Sequence, residues 1–595
     1  MKRILSYLKI YQWQMLFGFI VKVAATVAEL FMPWILAHIL DDIIPEVKQT
    51  EQIAPLVYWG FLMFLLALGA RMFNVFANRK AAEVSKNAIE RLRYDLFQKI
   101  MTLSGRQTDD IGIPSLISRM TSDSYNVHHA INMMQRMGVR APMIIIGGLF
   151  ITVALEPVLT LVLAATLPFI AFIVYFISKK GIPLYGKVQQ AADVMVRTVR
   201  EDVAGIRVIK ALSKAEYEKK RFKKANEAVA ERELAASGVM AASGPLLNLC
   251  LNLGLTAVIA VGAFRVNAGV SEPGKIVAFL TYFTMILNAV ISINRIFVVI
   301  SKASASAVRM DAILSAENDL PIDISQGTEE AGVEQEGTFQ PDTDNQTIPA
   351  KVEFKDVSFG YKAGEDKYCL RHISFTLYAG ETLGIIGATG SGKTTIFNLL
   401  MRFYDVDEGE IRIDGKNIKN YGLHELREKF GVAFQNDVLF ADTIEENIRF
   451  GREIPKERLE TAAEQAKAFE FIMEKDGGFS HMAAIKGANF SGGQKQRLLV
   501  ARALAGKPEL LLLDDASSAL DYKTDAYIRK QIKEQHAGTT MITIAQRISS
   551  VMQCTKILVL EDGEIIGLGS HEDLLRQCEV YQEIAESQLG LHLTA

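Results

Sequence analysis

The first 300 residues contain long stretches without a charged side chain, and this feature limits the fold more than any other. The stretches free of Asp, Glu, Lys and Arg are 52–70, 141–155, 157–178, 234–264 and 276–294. A helix of roughly 20 apolar residues crosses the hydrocarbon core of a bilayer. A sixth candidate, 14–40, contains Lys22 and Glu29. No such stretch follows residue 300, so the sequence predicts a six-helix all-α membrane region followed by a soluble region.

Composition excludes several classes of protein. The 595 residues combine 49% hydrophobic residues with 22% charged residues, which is typical of a chain that is part membrane and part cytosol. The net charge of −3 argues against a nucleic-acid partner bound by bulk charge. The four cysteines, which show no C-x-x-C spacing, are Cys250, Cys369, Cys554 and Cys578. We therefore expect neither a disulfide scaffold nor a structural zinc site.

The distribution of Lys and Arg predicts the orientation in the membrane. The N-terminus is basic and has no small-residue cleavage site, so no signal peptide is expected. The long loops 79–140 and 179–233 are rich in Lys and Arg, whereas the connections 41–51 and 266–274 are short. Because positive charge stays inside, both termini and both long loops are expected in the cytoplasm of a multi-pass plasma-membrane protein.

The two long loops have helical periodicity over 79–103 and 189–233, so the membrane helices are expected to continue into the cytosol. Short turns near 109–118 and 213–221 would form the tips, which could press on the soluble domain.

The chain divides into three parts. Residues 1–316 form the expected transmembrane domain. Residues 317–350 carry nine acidic residues and no Lys or Arg, which indicates a flexible, solvated linker. Residues 351–595 alternate short apolar strands with helical stretches, which predicts an α/β domain.

A phosphate-binding loop follows the apolar strand 381–386. Residues 387–394 read Gly-Ala-Thr-Gly-Ser-Gly-Lys-Thr and fit G-x-x-x-x-G-K-[ST] between a strand and a helix. The glycines allow backbone N–H groups to converge on phosphate oxygens. Lys393 would reach the β- and γ-phosphates of ATP, and Thr394 would bind Mg²⁺. The buried strand 510–513 then ends in Asp514, whose carboxylate suits the Mg²⁺ shell.

Further motifs make the sequence resemble the ATP-binding cassette (ABC) transporters. Residues 489–497, Asn-Phe-Ser-Gly-Gly-Gln-Lys-Gln-Arg, resemble the signature motif of that family. Gln435 resembles the Q-loop glutamine, Tyr361 the aromatic residue that stacks on adenine, and 518–521 the D-loop. Segments 116–119 and 205–210 also look like exporter loops, so the resemblance, to an exporter-type half-transporter, covers essentially the whole chain.

The resemblance implies the site residues. The nucleotide-binding residues it implies are Tyr361, Gly387, Thr389, Gly390, Ser391, Gly392, Lys393, Thr394, Thr395, Ser491, Gly492, Gly493, Gln494 and Asp521. The metal-binding residues it implies are Thr394, Gln435 and Asp514, and the catalytic residues are Asp515, Gln546 and Gln435. It also implies that two cassettes sandwich two ATP molecules, each held by the phosphate loop of one cassette and the signature of the other. The expected partners are a second half-transporter, the lipid bilayer and a small-molecule, lipid or peptide cargo.

The sequence departs from the family pattern at three positions. The residue after Asp514 is usually Glu and here is Asp515, whose carboxylate is drawn back by roughly 1.5 Å in chemistry sensitive to such shifts. The family's switch histidine corresponds to Gln546, which carries no imidazolium charge. Ile485 stands where exporters commonly place Glu or Gln. We therefore expect a degenerate site with weak ATP hydrolysis, in a heterodimer whose partner supplies the missing groups.

Three alternatives remain open from the sequence. The first is a homodimer with two slow sites, and the second is an ATP-binding membrane protein that gates or senses without pumping. The third is an importer of metal chelates with the same fold.

The spans themselves carry weak indications of cargo. Lys22 and Glu29 lie seven apart on one helix face, so they either contact cargo or form structural or interfacial contacts. The sixth span is rich in aromatic and sulfur side chains, namely Phe279, Tyr282, Phe283 and Met285. This composition suits either an adaptable apolar cavity or a lipid-facing helix.

Overall fold

Six long apolar helical runs dominate the N-terminal half of the computed structural model. The structure describes residues 2–320, 350–361, 368–435 and 438–589. The runs long and apolar enough to cross a membrane are Gln12–Thr50, Ala54–Met101, Ile113–Leu155, Pro157–Ala204, Ala215–Asn267 and Pro273–Leu314. They confirm the six predicted spans, and each run is longer than the span predicted from the sequence.

Numbered along the chain, the helices of this half are α1 Lys2–Lys9, α2 Gln12–His38, α3 Ile44–Thr50, α4 Ala54–Met101, α5 Gly105–Ile111, α6 Ile113–Ser118, α7 Ser124–Leu155, α8 Pro157–Ala204, α9 Ile206–Ala211, α10 Ala215–Ala241, α11 Ser243–Asn267 and α12 Pro273–Leu314. Two π-helical turns, Ile39–Ile43 and Arg119–Asp123, join α2 to α3 and α6 to α7.

The expected turns at 109–118 and 213–221 are largely helical, so that prediction is wrong in position. The breaks fall at 102–104, 112 and 212–214. Helix α5 starts early because Ser104 and Gln107 form a capping box, in which each side chain satisfies the other's backbone N–H.

The aromatic residues of the sixth span form the core of the helical region. Phe279, Tyr282 and Phe283 are all 0% exposed. The Tyr282 hydroxyl donates a hydrogen bond to the carbonyl of Leu30 at 2.5 Å. These three side chains therefore neither line a cavity nor face lipid, and both interpretations from the sequence are wrong for them.

The charged residues of the first span each contact a different helix. Lys22 donates to Asn74 and Asn78 on α4 at 2.5 and 2.9 Å. Glu29 accepts two hydrogen bonds from Arg140 on α7, at 2.5 and 3.2 Å. Lys22 and Glu29 therefore form structural contacts with neighbouring helices, which is one of the alternatives that the sequence left open.

The chain divides into two compact units. The first comprises Met1–Met101 and Pro114–Ala316, and the second comprises Thr102–Ile113 and Glu317–Ala595. Helix α5 thus belongs with the C-terminal unit, although its sequence interrupts the helical one. Most of the expected linker, residues 321–349, lies outside the described residues.

The second unit is α/β, as the sequence predicted. Its strands are β1 Val352–Phe359, β2 Leu370–Leu377, β3 Thr382–Gly387, β4 Glu408–Ile413, β5 Lys416–Asn417, β6 Phe430–Ala433, β7 Leu510–Asp514, β8 Thr540–Ile544, β9 Lys556–Glu561 and β10 Glu564–Gly569. One sheet has the order β2-β1-β4-β5 and is antiparallel. The other has the order β10-β9-β3-β8-β7-β6, and only its edge strand β10 is antiparallel.

The helices of this unit are α13 Lys393–Leu400, α14 Leu423–Glu428, α15 Ile444–Arg449, α16 Lys456–Gln465, α17 Phe469–Met473, α18 Gly492–Ala505, α19 Tyr522–Gln535, α20 Ile548–Val551, α21 His571–Gln577 and α22 Glu579–Leu589. All five residues of β7 are buried, as expected for a central parallel strand.

Candidate active site

The carboxyl ends of three neighbouring parallel strands meet at one edge of the larger sheet. In the register of these strands, Asp514 of β7 pairs with Ile544 of β8, and β3 pairs with β8 and ends at Gly387. Ligands of parallel α/β sheets bind at such edges. A cavity of about 270 Å³ opens here, and its lining residues are Cys369, Thr389, Gly390, Gly392, Lys393, Thr394, Thr395, Gln435, Asp514, Asp515, Ile544 and Gln546.

The phosphate loop needs glycine at two of its positions. A Cβ on Gly387 would lie 2.0 Å from the carbonyl oxygen of Leu560. A Cβ on Gly392, which has φ 99°, would lie 2.6 Å from Leu370 Cδ2. Glycine therefore lets the loop pass close to its neighbours and turn directly into α13, whose N-terminus favours anions.

Lys393 folds back over this loop. Its Nζ donates to the carbonyl oxygens of Gly387 and Ala388 at 2.9 and 2.6 Å. Burial lowers the pKa of Lys393, and the nearby carboxylates of Asp514 and Asp515 oppose that shift. The ammonium is thus positioned beside the loop whose backbone would hold phosphates.

Thr394 and Asp514 lie together at the mouth of the loop. The Thr394 hydroxyl donates to Asp514 Oδ2 at 2.9 Å. Burial raises the pKa of Asp514, and the Thr394 hydrogen bond opposes this rise. The Ser391 Oγ is buried without a hydrogen-bond partner in the part of the chain that the structure describes. A hydroxyl, a carboxylate and an unsatisfied buried oxygen together fit a Mg²⁺–nucleotide, since Mg²⁺ prefers oxygen ligands.

The Asp515 carboxylate is held by the side-chain amides of two residues from other segments, Gln546 and Gln435. Its Oδ2 accepts hydrogen bonds from Gln546 at 3.0 Å and from Gln435 at 3.3 Å. Burial raises the pKa of Asp515, while the Gln435 hydrogen bond and the charges of Arg547 and Lys393 lower it. The carboxylate is therefore fixed between two side-chain amides.

Tyr361 lies outside the residues that line the cavity but contacts α13, the helix that follows the loop. Its hydroxyl lies 3.0 Å from Thr395 Oγ1 and accepts from Asn398 at 3.2 Å. Its ring packs edge-on against Phe359 and Tyr404, with centroids 5.0 and 5.2 Å away. The residue is 39% exposed among the described residues.

The signature residues begin α18 and do not line the cavity. The Ser491 hydroxyl accepts from the N–H of Gln494 at 3.3 Å, and Gln494 Oε1 accepts from the N–H of Ser491 at 3.0 Å. Ser-Gly-Gly-Gln is therefore a capping box, which fixes the start of the helix. Ser491 and Gly492 are exposed, and Gly493 is half-buried beside Ala519.

Asp521 also lies outside the cavity lining and caps α19. It accepts from the backbone N–H and the hydroxyl of Thr524 at 3.0 and 2.7 Å, and these bonds lower its pKa. Gln496 of α18 donates to Ser518 at 2.8 Å and accepts from the N–H of Ala519 at 2.8 Å. The signature helix and the segment 518–521 are thus joined within one chain.

Two residues of the cavity were missed by the sequence analysis. Ile544 ends β8 two residues before Gln546. Its position at the carboxyl end of a predicted strand could have identified it as a cavity residue. Cys369, whose Sγ lies 3.5 Å from Thr395 Oγ1, directly precedes β2 and belongs to no motif.

Comparisons with known proteins agree with this architecture. A family model described as "ABC transporter transmembrane region" matches residues 15–290, and one described as "ABC transporter" matches residues 370–518. The uncharacterized ABC transporter ATP-binding protein YfiB of Bacillus subtilis is 34% identical over 594 residues, which cover 99% of each chain. The chain belongs to the ABC transporter family.

Other similarities place this ABC transporter among proteins of the exporter fold. An ATP-dependent lipid A-core flippase of Vibrio cholerae is 31% identical over 99% of this chain and 98% of its own. The structure of a bacterial Atm1-family ABC exporter with ATP bound has a TM-score of 0.79, 22% identity and 99% coverage of both chains. With one transmembrane and one ATPase region, the chain has the architecture of an exporter-type half-transporter. Its ATPase region implies nucleotide binding and ATP hydrolysis.

Proposed function

We propose that this ABC transporter is an ATP-driven exporter subunit that moves amphipathic small molecules, lipids or peptides. We further propose that it is the subunit of a heterodimer whose own phosphate loop belongs to a weak hydrolytic site. The similarity to a protein named as a lipid flippase supports an amphipathic cargo. The Lys- and Arg-rich loops support cytoplasmic termini and a cytoplasmic ATPase region.

One observation carries the proposal of a weak site. The Asp515 side chain is one methylene shorter than that of the usual Glu. One of its carboxylate oxygens already accepts hydrogen bonds from both Gln546 and Gln435. A general base must reach the attacking water to accept its proton. A carboxylate that is drawn back and held by two amides is poorly placed to polarise that water. Gln546 also supplies no positive charge to the γ-phosphate.

The signature motif supports the proposal of a partner. Ser491 and Gly492 are exposed at the N-terminus of α18, which is an anion-binding position. They do not line the cavity of their own chain. They would therefore complete the site of a second cassette, which in turn would complete this one.

The cavity residues, together with Tyr361 outside the cavity lining, would bind the nucleotide and its metal ion. Thr394 and Asp514 would hold Mg²⁺, with Gln435 at the edge of its shell. Bound Mg²⁺ would neutralise phosphate charge and orient the γ-phosphate. Lys393 would bind the β- and γ-phosphates, and Tyr361 would stack on the base.

Helix α5 would pass the state of the site to the membrane helices. The Tyr404 hydroxyl donates to Asp109 at 2.6 Å, and the N–H of Gly105 donates to the carbonyl of Phe403 at 3.2 Å. The Tyr404 ring also packs against Tyr361. Because residues 102–104 join α4 to α5, a movement of this contact acts on α4 through the chain itself.

The test restores the two missing groups. Asp515→Glu combined with Gln546→His should raise hydrolysis at this site by about tenfold or more, because it returns reach and charge to the water-activating position. The measurement is single-turnover ATP hydrolysis in the assembled pair, with the partner's phosphate-loop lysine replaced so that only this site is counted.

A matched control is available in the same unit. Asp562 is exposed and has φ 46°, close to the φ 48° of Asp515, so Asp562→Glu with Gln553→His makes the same exchanges on the surface. This control should leave hydrolysis unchanged. Equal rates for the restored variant and the natural chain would mean that Asp515 and Gln546 do not limit the site.

A further inference from the structure

The short helix α20 begins without a capping side chain of its own. The first N–H groups of a helix need an acceptor from outside the helix. Arg547 stands at the N-cap position of α20 and forms no capping hydrogen bond in the described structure. An arginine side chain carries only donors, so it cannot accept from these N–H groups. The backbone groups on either side of Arg547 therefore need a partner from another element.

Gln588, on the C-terminal helix α22, is that partner for two backbone groups. Its Oε1 accepts a hydrogen bond from the N–H of Ile548 at 2.8 Å, and its Nε2 donates to the carbonyl of Gln546 at 2.9 Å. A side-chain amide has one acceptor end and one donor end, so a single glutamine satisfies both groups. We call these two hydrogen bonds the Gln588 clamp.

Helix α22 is packed onto the α/β unit, which gives the clamp a fixed support. Tyr581 and Ala585 of α22 are 0% exposed, and they belong to an apolar cluster that also contains Ile548. The Tyr581 hydroxyl lies 2.7 Å from His571 Nδ1 on α21. Positions 581, 585 and 588 follow one another at helical spacing, so the Gln588 side chain leaves α22 on the same face as the two buried residues.

The backbone held by the clamp carries a residue of the nucleotide cavity. The Gln546 side chain lines this cavity, and its amide donates to Asp515 Oδ2 at 3.0 Å. On its other side Gln546 is joined to the sheet, because the N–H of Ala545 donates to the carbonyl of Ile385 on β3 at 3.2 Å. The segment is therefore held by the sheet before Gln546 and by Gln588 after it.

We propose that Gln588 is a positioning residue for ATP hydrolysis, which holds the backbone of Gln546 so that the Gln546 amide stays at the nucleotide cavity. Reaction geometry is sensitive to displacements of about 1 Å, so a looser Gln546 would slow the reaction. Gln588 itself does not line the cavity, so its loss should lower the rate of hydrolysis and leave ATP affinity largely unchanged. The inference rests on the proposed function, because it concerns the hydrolytic site of that transporter subunit.

The test measures single-turnover ATP hydrolysis and ATP affinity of the assembled full-length transporter in nanodiscs, with the second cassette's phosphate-loop lysine replaced. Gln588→Met keeps the side-chain length and removes both hydrogen bonds. It should lower the rate about fivefold or more and leave ATP affinity within about twofold. The matched control is Gln582→Met on the same helix, which removes a 2.6 Å hydrogen bond to the carbonyl of Leu575 and should leave the rate unchanged.

Two further variants separate positioning from a general effect on stability. The carboxylate of Gln588→Glu still accepts from Ile548 but cannot donate to the Gln546 carbonyl, whereas its protonated form can do both. The rate of this variant relative to the natural chain should therefore rise as the pH falls toward the ordinary Glu pKa of about 4.3. In a Gln546→Ala background, Gln588→Met should cause no further loss of rate, because no amide is left to position.

Four results would overturn the role of Gln588. They are equal rates for Gln588→Met and the natural chain, an equal loss in Gln582→Met, an undiminished further loss in the Gln546→Ala background, and no measurable hydrolysis at this site in the natural chain. ATP-dependent movement of an amphiphile together with any of these results would reject the clamp and keep the exporter. The predicted rates without movement of any amphiphile would reject the exporter and keep the clamp.

Discussion

At the scale of single residues, the proposed weakness of the site rests on Asp515. It adopts φ 48°, a left-handed conformation that residues other than glycine rarely use, directly after β7. That backbone turns its carboxylate toward Gln435 and Gln546. The sequence shows that Asp replaces Glu, but the two amide contacts depend on how three separate segments meet.

As the pH falls, hydrolysis at this site should begin to slow at a higher pH than it would with a carboxylate of ordinary pKa. Burial raises the pKa of Asp515 above its usual 3.8, and a base acts only when it is charged, so activity falls as the pH drops through the raised pKa. A single-turnover pH profile measures this. The Asp515→Asn variant should hydrolyse ATP more slowly, and its pH profile should lack the fall at acidic pH (the acidic limb). If the limb persists in Asp515→Asn, it belongs to another group, of which Asp514 is the nearest.

Tyr361 should contribute to ATP affinity through its ring rather than its hydroxyl. Tyr361→Ala should weaken ATP binding about tenfold or more, because stacking on a base contributes about 1–3 kcal/mol. Tyr361→Phe keeps the ring, loses the contact with Thr395 and should stay within about threefold of the natural chain. Fluorescence titration with an ATP analogue measures both, and equal losses in the two variants would argue against stacking.

At the scale of elements, helix ends explain what the sequence could and could not predict. The motif Ser-Gly-Gly-Gln shows by its spacing that Ser491 is the N-cap of α18. The same capping chemistry, between Ser104 and Gln107, starts α5, yet the sequence predicted a turn near 109–118, which overlaps the end of α5. Spacing alone cannot show that α5 belongs with the α/β unit, because its partners Phe403 and Tyr404 lie some 300 residues away in the chain.

The sixth span shows a second limit of prediction from the sequence. A helix that is apolar on all sides has no preferred face, so composition could not decide where Phe279, Tyr282 and Phe283 point. The six spans themselves were predictable, because the absence of charge over a bilayer's thickness is a one-dimensional signal. Which face of α12 is buried depends on its neighbours, and only the packing shows it.

The contact between Tyr404 and Asp109 should stabilise the α/β unit together with α5. A double-mutant cycle of Tyr404→Phe and Asp109→Asn should give a coupling energy of about 1 kcal/mol or more, because a neutral hydroxyl here donates to a carboxylate at 2.6 Å. Thermal unfolding in detergent measures it. Strict additivity of the two substitutions would mean that α5 does not dock on this unit in solution.

At the scale of the whole molecule, the chain carries the parts of two different half-sites. Its phosphate loop and β7 form the nucleotide cavity, which we propose to be a weak hydrolytic centre, while the first signature residues lie exposed at the start of α18. We expect such a chain to gain full activity from a second cassette with the complementary features. This asymmetry, which rests on Asp515 and Gln546, stays a prediction, and the structure adds that the two side chains are hydrogen-bonded to each other.

The most direct measurement is the steady-state ATPase activity of the purified chain in nanodiscs, alone and after co-expression with the product of a neighbouring transporter gene. We predict that the chain alone is nearly inactive and that the pair hydrolyses ATP at least about tenfold faster. Rapid ATP hydrolysis by the chain alone would show that Asp515 and Gln546 suffice for catalysis. That result would contradict the account and identify the protein as a homodimer with two competent sites.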